Sequence, residues 1–299
     1  LLLNRFTPPP LESFRTLAPL GESVPLAVDI GGLAFHLEGA DEARRAILTE
    51  RYAPFLSTPS DGAFRVALLD AAREHFVRPD EAPTGSTHPL SLAWEGSILL
   101  VRSFGFAGWI SIEQGHGGLA LARAEYEQSA WCVENYLRVA TAWRALREGG
   151  VLLHAASLVL DGKGFLFMGA SGSGKSTLAA TSRLGEVLSD DLSLVRCHEG
   201  RFAVAGTPFR GTYAGGRPIR GEFPIAGMFR ILKSAGNRCE PVPAGSAVPI
   251  LLASAPFVVD QISRDGRILE NLHRLNVVHP LAYLHFDLSG DFWSAVPTL

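Results

Sequence analysis

The most specific chemistry in this chain sits in one run, Gly169-Ala170-Ser171-Gly172-Ser173-Gly174-Lys175-Ser176, which matches the pattern GxxxxGK[ST] at every position. Glycines at this spacing free the backbone to turn its N–H groups inward around phosphate oxygens. The lysine supplies a compact cation for the β- and γ-phosphates, and the hydroxyl after it is a hard oxygen donor for Mg2+. The expected binding set is Gly169, Ser171, Gly172, Ser173, Gly174, Lys175, Ser176 and Thr177, with ATP and Mg2+ as ligands. Such a loop needs a strand before it and a helix after it. Phe165-Leu166-Phe167-Met168 reads as a buried strand, and Thr177-Leu178-Ala179-Ala180 as the opening of a helix.

Downstream, Asp190-Asp191 follows the short apolar run Val187-Leu188-Ser189. Beside a phosphate loop, one carboxylate can complete a Mg2+ shell and the other can accept a proton from an attacking hydroxyl. His154 is expected at the start of the strand that pairs with the loop strand, near the mouth of the sheet, where it can orient an aspartate or influence its pKa. Leu158-Val159-Leu160 and Phe165 to Met168 flank Asp161-Gly162-Lys163-Gly164, and Asp-Gly is a strong hairpin signal. The strand feeding the loop is therefore expected to pair antiparallel with the one before it. The remaining histidines lack any partner spacing and read as structural or exposed.

Composition narrows the classes. Of 27 basic residues among the 299, only Lys163, Lys175 and Lys233 are lysines. Lys163 reads as a solvated turn residue and Lys233 has no evident role. A net charge of −3, with arginines scattered rather than in runs, gives no field for nucleic acid. Cys132, Cys197 and Cys239 lie far apart, which argues against a zinc site or disulfide framework and fits reduced thiols in a cytoplasm. The apolar stretch Val248 to Val259 is broken by Pro249, Ser254 and Pro256 and falls short of the roughly 20 residues that span a bilayer. The first residues lack a basic region followed by an apolar one, so no signal peptide is expected. No sequence feature sets an oligomeric state.

The length suggests two domains at roughly 150 residues each. In the first half, Leu26 to Ile30 and Leu33 to Leu37 read as a hairpin around Gly31-Gly32, and Asp41 to Tyr52 as a helix with Asp41 as N-cap. Phe64 to Leu69, Leu90 to Trp94, Ile98 to Val101, Trp109 to Ile112 and Gly118 to Leu121 read as strands. Residues 1–149 are thus expected to form an α+β domain with a mostly antiparallel sheet. Glu125 to Glu148 reads as a long helix with Val133, Leu137 and Ala140 on one stripe, ended by Gly149-Gly150. The boundary is placed there. Residues 150–299 alternate strand, helix, strand, which favours an α/β core.

His154 about fifteen residues before Gly169, the Asp161-Gly162 hairpin, the loop Gly169 to Ser176 and the pair Asp190-Asp191 together resemble the HPr kinase-like serine kinases. That group's nucleotide-binding fold is similar to that of phosphoenolpyruvate carboxykinase. The likeness covers roughly 151–195 well and 195–299 loosely. It implies an α/β, phosphate-loop C-terminal domain of the HPr-kinase/carboxykinase kind. Before Gly149 nothing specific matches, and the separate N-terminal α+β domain is expected to help bind the acceptor. It makes Lys175 the phosphate-binding lysine, Ser176 a Mg2+ ligand, Asp190 the general base and Asp191 a metal ligand, with the two aspartates exchangeable, and His154 an aid to the base. True HPr kinases carry Glu-x-Arg-Gly-Leu-Gly after the acidic pair. The corresponding region here, Gly206-Thr207-Pro208-Phe209-Arg210-Gly211-Thr212 and then Arg217, Arg220 and Glu222, lacks it. Arg210 could stabilise charge on a transferring phosphoryl group. The expected function is transfer of the γ-phosphoryl of ATP to a hydroxyl, that of a Ser in a peptide or protein. A small sugar-like alcohol as acceptor, and a nucleotide-binding regulator or ATPase without transfer, are the alternatives. A common GTPase is excluded because no lysine follows an asparagine, and no LSGGQ-like segment supports a transporter ATPase.

Overall fold

A computed structural model describes residues 7–82, 89–125, 127–170, 172–182, 184–209, 211, 219–243, 245–287 and 291–297. The fold is mixed α/β, with two sheets and few helices. The chain divides into two compact units, Leu1–Asp29 with Leu33–Ala140, and Ile30–Gly32 with Thr141–Leu299. The division falls inside a helix, ahead of Gly149-Gly150.

The first unit holds β1 (Leu26–Ile30), β2 (Leu33–Glu38), α1 (Glu42–Tyr52), β3 (Phe64–Asp70), β4 (Leu90–Glu95), β5 (Ile98–Ser103), β6 (Phe106–Ser111) and β7 (His116–Leu121). Gly31 and Gly32 turn β1 into β2 at positive φ of 55° and 80°, which suits glycine alone. Asp41 caps α1 as its side chain accepts the Arg44 N–H at 2.8 Å. The seven strands run in the order β1-β2-β3-β7-β6-β5-β4. The sheet is antiparallel from β7 to β4, but β3 lies parallel to both β2 and β7. The expected antiparallel sheet thus has a parallel centre, because α1 carries the chain back across the sheet before β3 begins.

The long helix α2 (Ser129–Arg147) starts one turn later than expected. Ser129 Oγ accepts from Arg44 Nε at 3.0 Å and donates to Glu125 O at 3.2 Å, closing that first turn outside the helix. Val133, Tyr136, Leu137, Ala140 and Trp143 are buried as the stripe predicts, but so are Cys132, Glu134, Val139 and Thr141. Glu134 tolerates burial because Arg51 and Arg138 both pair with it. Gly149, at φ 80°, ends the helix, and the Gly150 N–H returns to Ala145 O at 2.8 Å.

The second unit continues with β8 (Val151–Leu160), β9 (Lys163–Met168), α3 (Lys175–Thr181), β10 (Glu186–Ser189), β11 (Leu192–His198), β12 (Arg201–Ala205), β13 (Glu222–Lys233), β14 (Arg238–Pro241), α4 (Ala247–Ala253), α5 (Arg267–Val278) and β15 (Leu281–Phe286). β8 and β9 form the expected hairpin, with Asp161 and Gly162 at φ 51° and 73° in its turn. On its other side β9 has a parallel neighbour, β13, which is also parallel to β15. Among the described residues, strand–helix alternation is confined to β9-α3-β10 and β14-α4-α5-β15. Between them β10 to β13 follow one another as strands, and the pairings β8–β11–β12–β13–β9 return to β8. One core cluster gathers Phe167, Phe229, Ile231, Leu284 and Phe286 under Leu178 and Ala179 of α3. A helix of seven residues is not stable alone. Burying Leu178, worth about 1.5–3 kcal/mol, helps hold it against the sheet.

Candidate functional site around the Gly169–Ser176 loop

β9 delivers its last residue, Met168, to the sheet edge, and the chain then turns sharply. Gly172 and Gly174 take φ of 74° and 101°, and the Ser173 N–H donates to Ala170 O at 3.0 Å. Gly169 is packed so closely that a Cβ there would lie 2.1 Å from Ser173 Oγ. Gly174 serves as N-cap of α3, so Lys175 opens the helix and the Leu178 N–H donates to Gly174 O at 2.7 Å. The Lys175 side chain folds back over the loop and donates to Gly169 O at 2.8 Å and Ala170 O at 3.4 Å. The residue is only 7% exposed. Burial lowers the pKa of its ammonium, Asp191 opposes that shift, and Arg230 adds to it. Ser176 is half-buried and Thr177 exposed. Ser173 Oγ is buried and finds no hydrogen-bond partner among the described residues.

The acidic pair interrupts a single long strand track. Ser189 pairs with Ser157 of β8 and Leu192 with His154, the same register on both sides of the break. Asp190 and Asp191 occupy the two places between. Ser189 pins the break: its hydroxyl donates to Leu192 O at 2.9 Å and accepts the Asp191 N–H at 3.4 Å. Thr207 Oγ1 also donates to Leu192 O, at 3.1 Å.

The two carboxylates then part. Asp191 Oδ1 lies 3.3 Å from His154 Nε2, and its charge is felt at Lys175. Asp190 is buried, 7% exposed, and its Oδ1 accepts the Gly211 N–H at 3.0 Å. A Cβ at Gly211 would stand 2.5 Å from Asp190 Oδ2, so only glycine lets that backbone approach. His154 does not start its strand as expected. It is the fourth residue of β8, the last that pairs with β11 and the one before the pairing with β9 begins.

The expected residues His154, Gly169, Gly172, Ser173, Gly174, Lys175, Ser176, Thr177, Asp190 and Asp191 all belong to the second unit, and Asp191 links two of them, lying 3.3 Å from His154 and acting by its charge on Lys175. Ser171, Arg210, Thr212 and Arg217 lie outside the described residues. Sequence reasoning missed Gly211, Arg230 and Lys233. It also missed partners for two histidines, His198 with Glu222 at 3.2 Å and His285 with Glu240 at 2.6 Å. Among the described residues no group of three or more His, Cys, Asp or Glu could hold a metal ion, and no helix is long and apolar enough to cross a membrane. Burial pushes the Cys132 thiol up to about 12, which makes it inert at neutral pH. In the first unit, a cleft of about 430 Å³ opens beside Trp109, His116 and the Arg65–Glu38 ion pair.

No curated protein matches the chain. A family described as SynChlorMet cassette protein ScmC matches residues 134–299, a stretch that contains the glycine-rich loop, the acidic pair and His154. With more than half of its length matched, the chain belongs to the ScmC family of SynChlorMet cassette proteins.

Proposed function

We propose that this protein is a phosphotransferase that moves the γ-phosphoryl group of ATP to a hydroxyl, that of a Ser in a peptide or protein. The observation that carries this reading is the Lys175 ammonium. It is buried over a glycine-rich turn, held by loop carbonyls, and lies beside a His154–Asp191 pair. A cation kept out of water next to backbone donors suits a phosphate, which would exchange with the two carbonyl contacts. The unpartnered Ser173 hydroxyl offers one more donor in the same turn. The likeness to HPr kinase-like enzymes and their carboxykinase-type fold supports the same conclusion.

The donor set also fits Mg2+. Hydroxyl and carboxylate oxygens are the hard ligands it prefers, and it keeps waters and substrate phosphates as the rest of its shell. A site of this kind therefore needs no cluster of three protein ligands. Ser176 and one aspartate would hold the ion, which when bound neutralises charge on the phosphates. Of the two exchangeable aspartates, Asp191 has the better claim to be the proton acceptor, because His154 lies 3.3 Å from it. Asp190, tied to the Gly211 N–H, is then the metal-side carboxylate. The acceptor hydroxyl gives its proton to the Asp191 carboxylate as its oxygen bonds to the γ-phosphorus, and the bond to the bridging oxygen breaks to release ADP. Catalysis of this kind is positioning and electrostatics, which a rigid turn on a paired strand can supply.

The test is transfer of label from γ-labelled ATP to the products of neighbouring genes, short peptides included. Asp191→Asn should keep ATP binding and lose transfer by about 10²–10⁴-fold. Lys175→Ala should lose ATP binding. Unchanged binding in Lys175→Ala would overturn the reading, and transfer that survives in Asp191→Asn but not in Asp190→Asn would exchange the two aspartates.

A further inference from the structure

Lys233 is one of three lysines in a chain whose other cations are arginines, and the sequence alone assigns it nothing. The fold puts it beside the glycine-rich loop. β13 runs parallel to β9, and its Arg230 pairs with Met168, the residue just before the loop. The last residues of β13 therefore continue alongside the loop itself. Two independent contacts fix which face they present. A Cβ on Gly169 would stand 3.0 Å from Ile231 Cγ1, and one on Gly174 would stand 3.4 Å from Lys233 Cε. Ile231 and Lys233 are two apart on a strand and so point to the same side, the side on which the loop lies. The Lys233 stem thus rests against the loop backbone where Gly174 lacks a side chain, and the residue as a whole is exposed.

The charges around it are unbalanced. Neither Lys233 nor the half-buried Arg230 has a side-chain hydrogen bond or an ion-pair partner among the described residues. Arg230 and Lys175 repel one another. A guanidinium partly withdrawn from water without a counter-charge is costly, and the cost falls when an anion arrives. Three cations lie near one short turn, and among the described residues Asp191 is the carboxylate whose charge registers at Lys175.

We propose that Lys233 is a second phosphate-binding cation of this site, reaching across Gly174 to the terminal phosphates of a nucleoside triphosphate while Lys175 holds them from the loop. This rests on the nucleotide reading above and adds to it a contact from outside the loop motif. Arg230 contributes field from the opposite face of the same strand. A flexible ammonium suits this place, because its position must adjust as the γ-phosphoryl departs.

The experiment is calorimetric titration of MgATP and of AMP into full-length wild type, Lys233→Met and Lys233→Arg. Lys233→Met should bind MgATP about tenfold more weakly, the loss of one charge-assisted hydrogen bond, and AMP unchanged, since AMP lacks the β- and γ-phosphates. Lys233→Arg should stay within about threefold of wild type. Thermal unfolding of the ligand-free variants should match wild type, as the side chain is exposed. Equal MgATP affinity in wild type and Lys233→Met overturns the proposal, and so does an equal loss for AMP and MgATP. Wild type that binds no MgATP would instead bring down the nucleotide reading itself, and this proposal with it.

Discussion

The tightest packing in the glycine-rich loop makes a quantitative demand on Gly169. A methyl group there would lie 2.1 Å from Ser173 Oγ, 2.8 Å from Ser173 Cβ and 3.0 Å from Ile231 Cγ1. Restoring an ordinary contact of about 3.5 Å requires the Ser173 hydroxyl to move outward by roughly 1.4 Å and its Cβ by roughly 0.7 Å. Ser173 resists, because its N–H closes the loop by donating to Ala170 O at 3.0 Å. Overpacking of this kind costs about 1–3 kcal/mol. For a unit of this size, about 2 kcal/mol lowers the melting temperature by roughly 4–8 °C. The remedy is specific. Ser173→Gly removes both Ser173 atoms in the clash, and its hydroxyl forfeits no hydrogen bond, having no partner among the described residues. Ser173→Gly alone should cost about 0.4–1 kcal/mol through chain entropy. Together with Gly169→Ala it should recover most of the loss, a coupling of about 1–2 kcal/mol in a double-mutant cycle followed by scanning calorimetry. Additivity to within about 0.5 kcal/mol would refute the packing argument.

Three further outcomes are expected. In ligand-free protein, Lys175 has its pKa lowered by burial from the usual 10.5, so between the lowered value and 10.5 the unfolded chain binds more protons and stability rises with pH. Wild type should therefore gain stability relative to Lys175→Met on going from neutral pH toward pH 10.5, and a constant gap in melting temperature would show that the ammonium is not desolvated. Asp41→Ala removes the α1 cap and the counter-charge of the fully buried Arg44, which should cost about 3–5 kcal/mol in urea unfolding at unchanged slope. Phe167→Ala empties a fully buried site between Phe229 and Phe292, with ring centroids 5.5 and 5.6 Å away, and should destabilise the second unit by about 3–5 kcal/mol. A loss under about 1 kcal/mol would remove β9 from the core.

Local signals were legible where one physical rule dominates. Asp41 as a cap, Asp161-Gly162 as a hairpin turn and Gly149 as a helix stop each follow from neighbouring backbone needs, and the structure has all three. Partners distant in sequence were not legible. The parallel centre of the first sheet depends on where α1 returns the chain, and the burial of α2 well beyond its stripe depends on Arg51 and Arg138 neutralising Glu134. The consecutive strands β10 to β13 defeated the expected strand–helix alternation, since short apolar runs read alike whether or not a helix separates them. Lys233 shows the same limit from another side. Its rarity marked it, but its place beside Gly174 comes from β13 lying parallel to β9, a pairing more than fifty residues distant that no local pattern encodes.

The acidic pair shows how much one register decides. Two adjacent residues on an extended chain point to opposite sides, so Asp190 and Asp191 cannot both face one histidine unless the backbone is distorted. The sequence left their roles exchangeable because it did not say what lay opposite each. Once Ser189 is aligned with Ser157 and Leu192 with His154, the pair falls at a break in the track along β8, where the Ser189 and Thr207 hydroxyls both donate to Leu192 O. One carboxylate then turns to Gly211 and the other to His154. The different surroundings of two chemically identical side chains thus follow from pairing geometry, which also brings the Gly211 backbone against Asp190. A β-carbon at Gly211 would have to displace Asp190, and in moving Asp190 it would disturb the turn that holds Asp191 against His154.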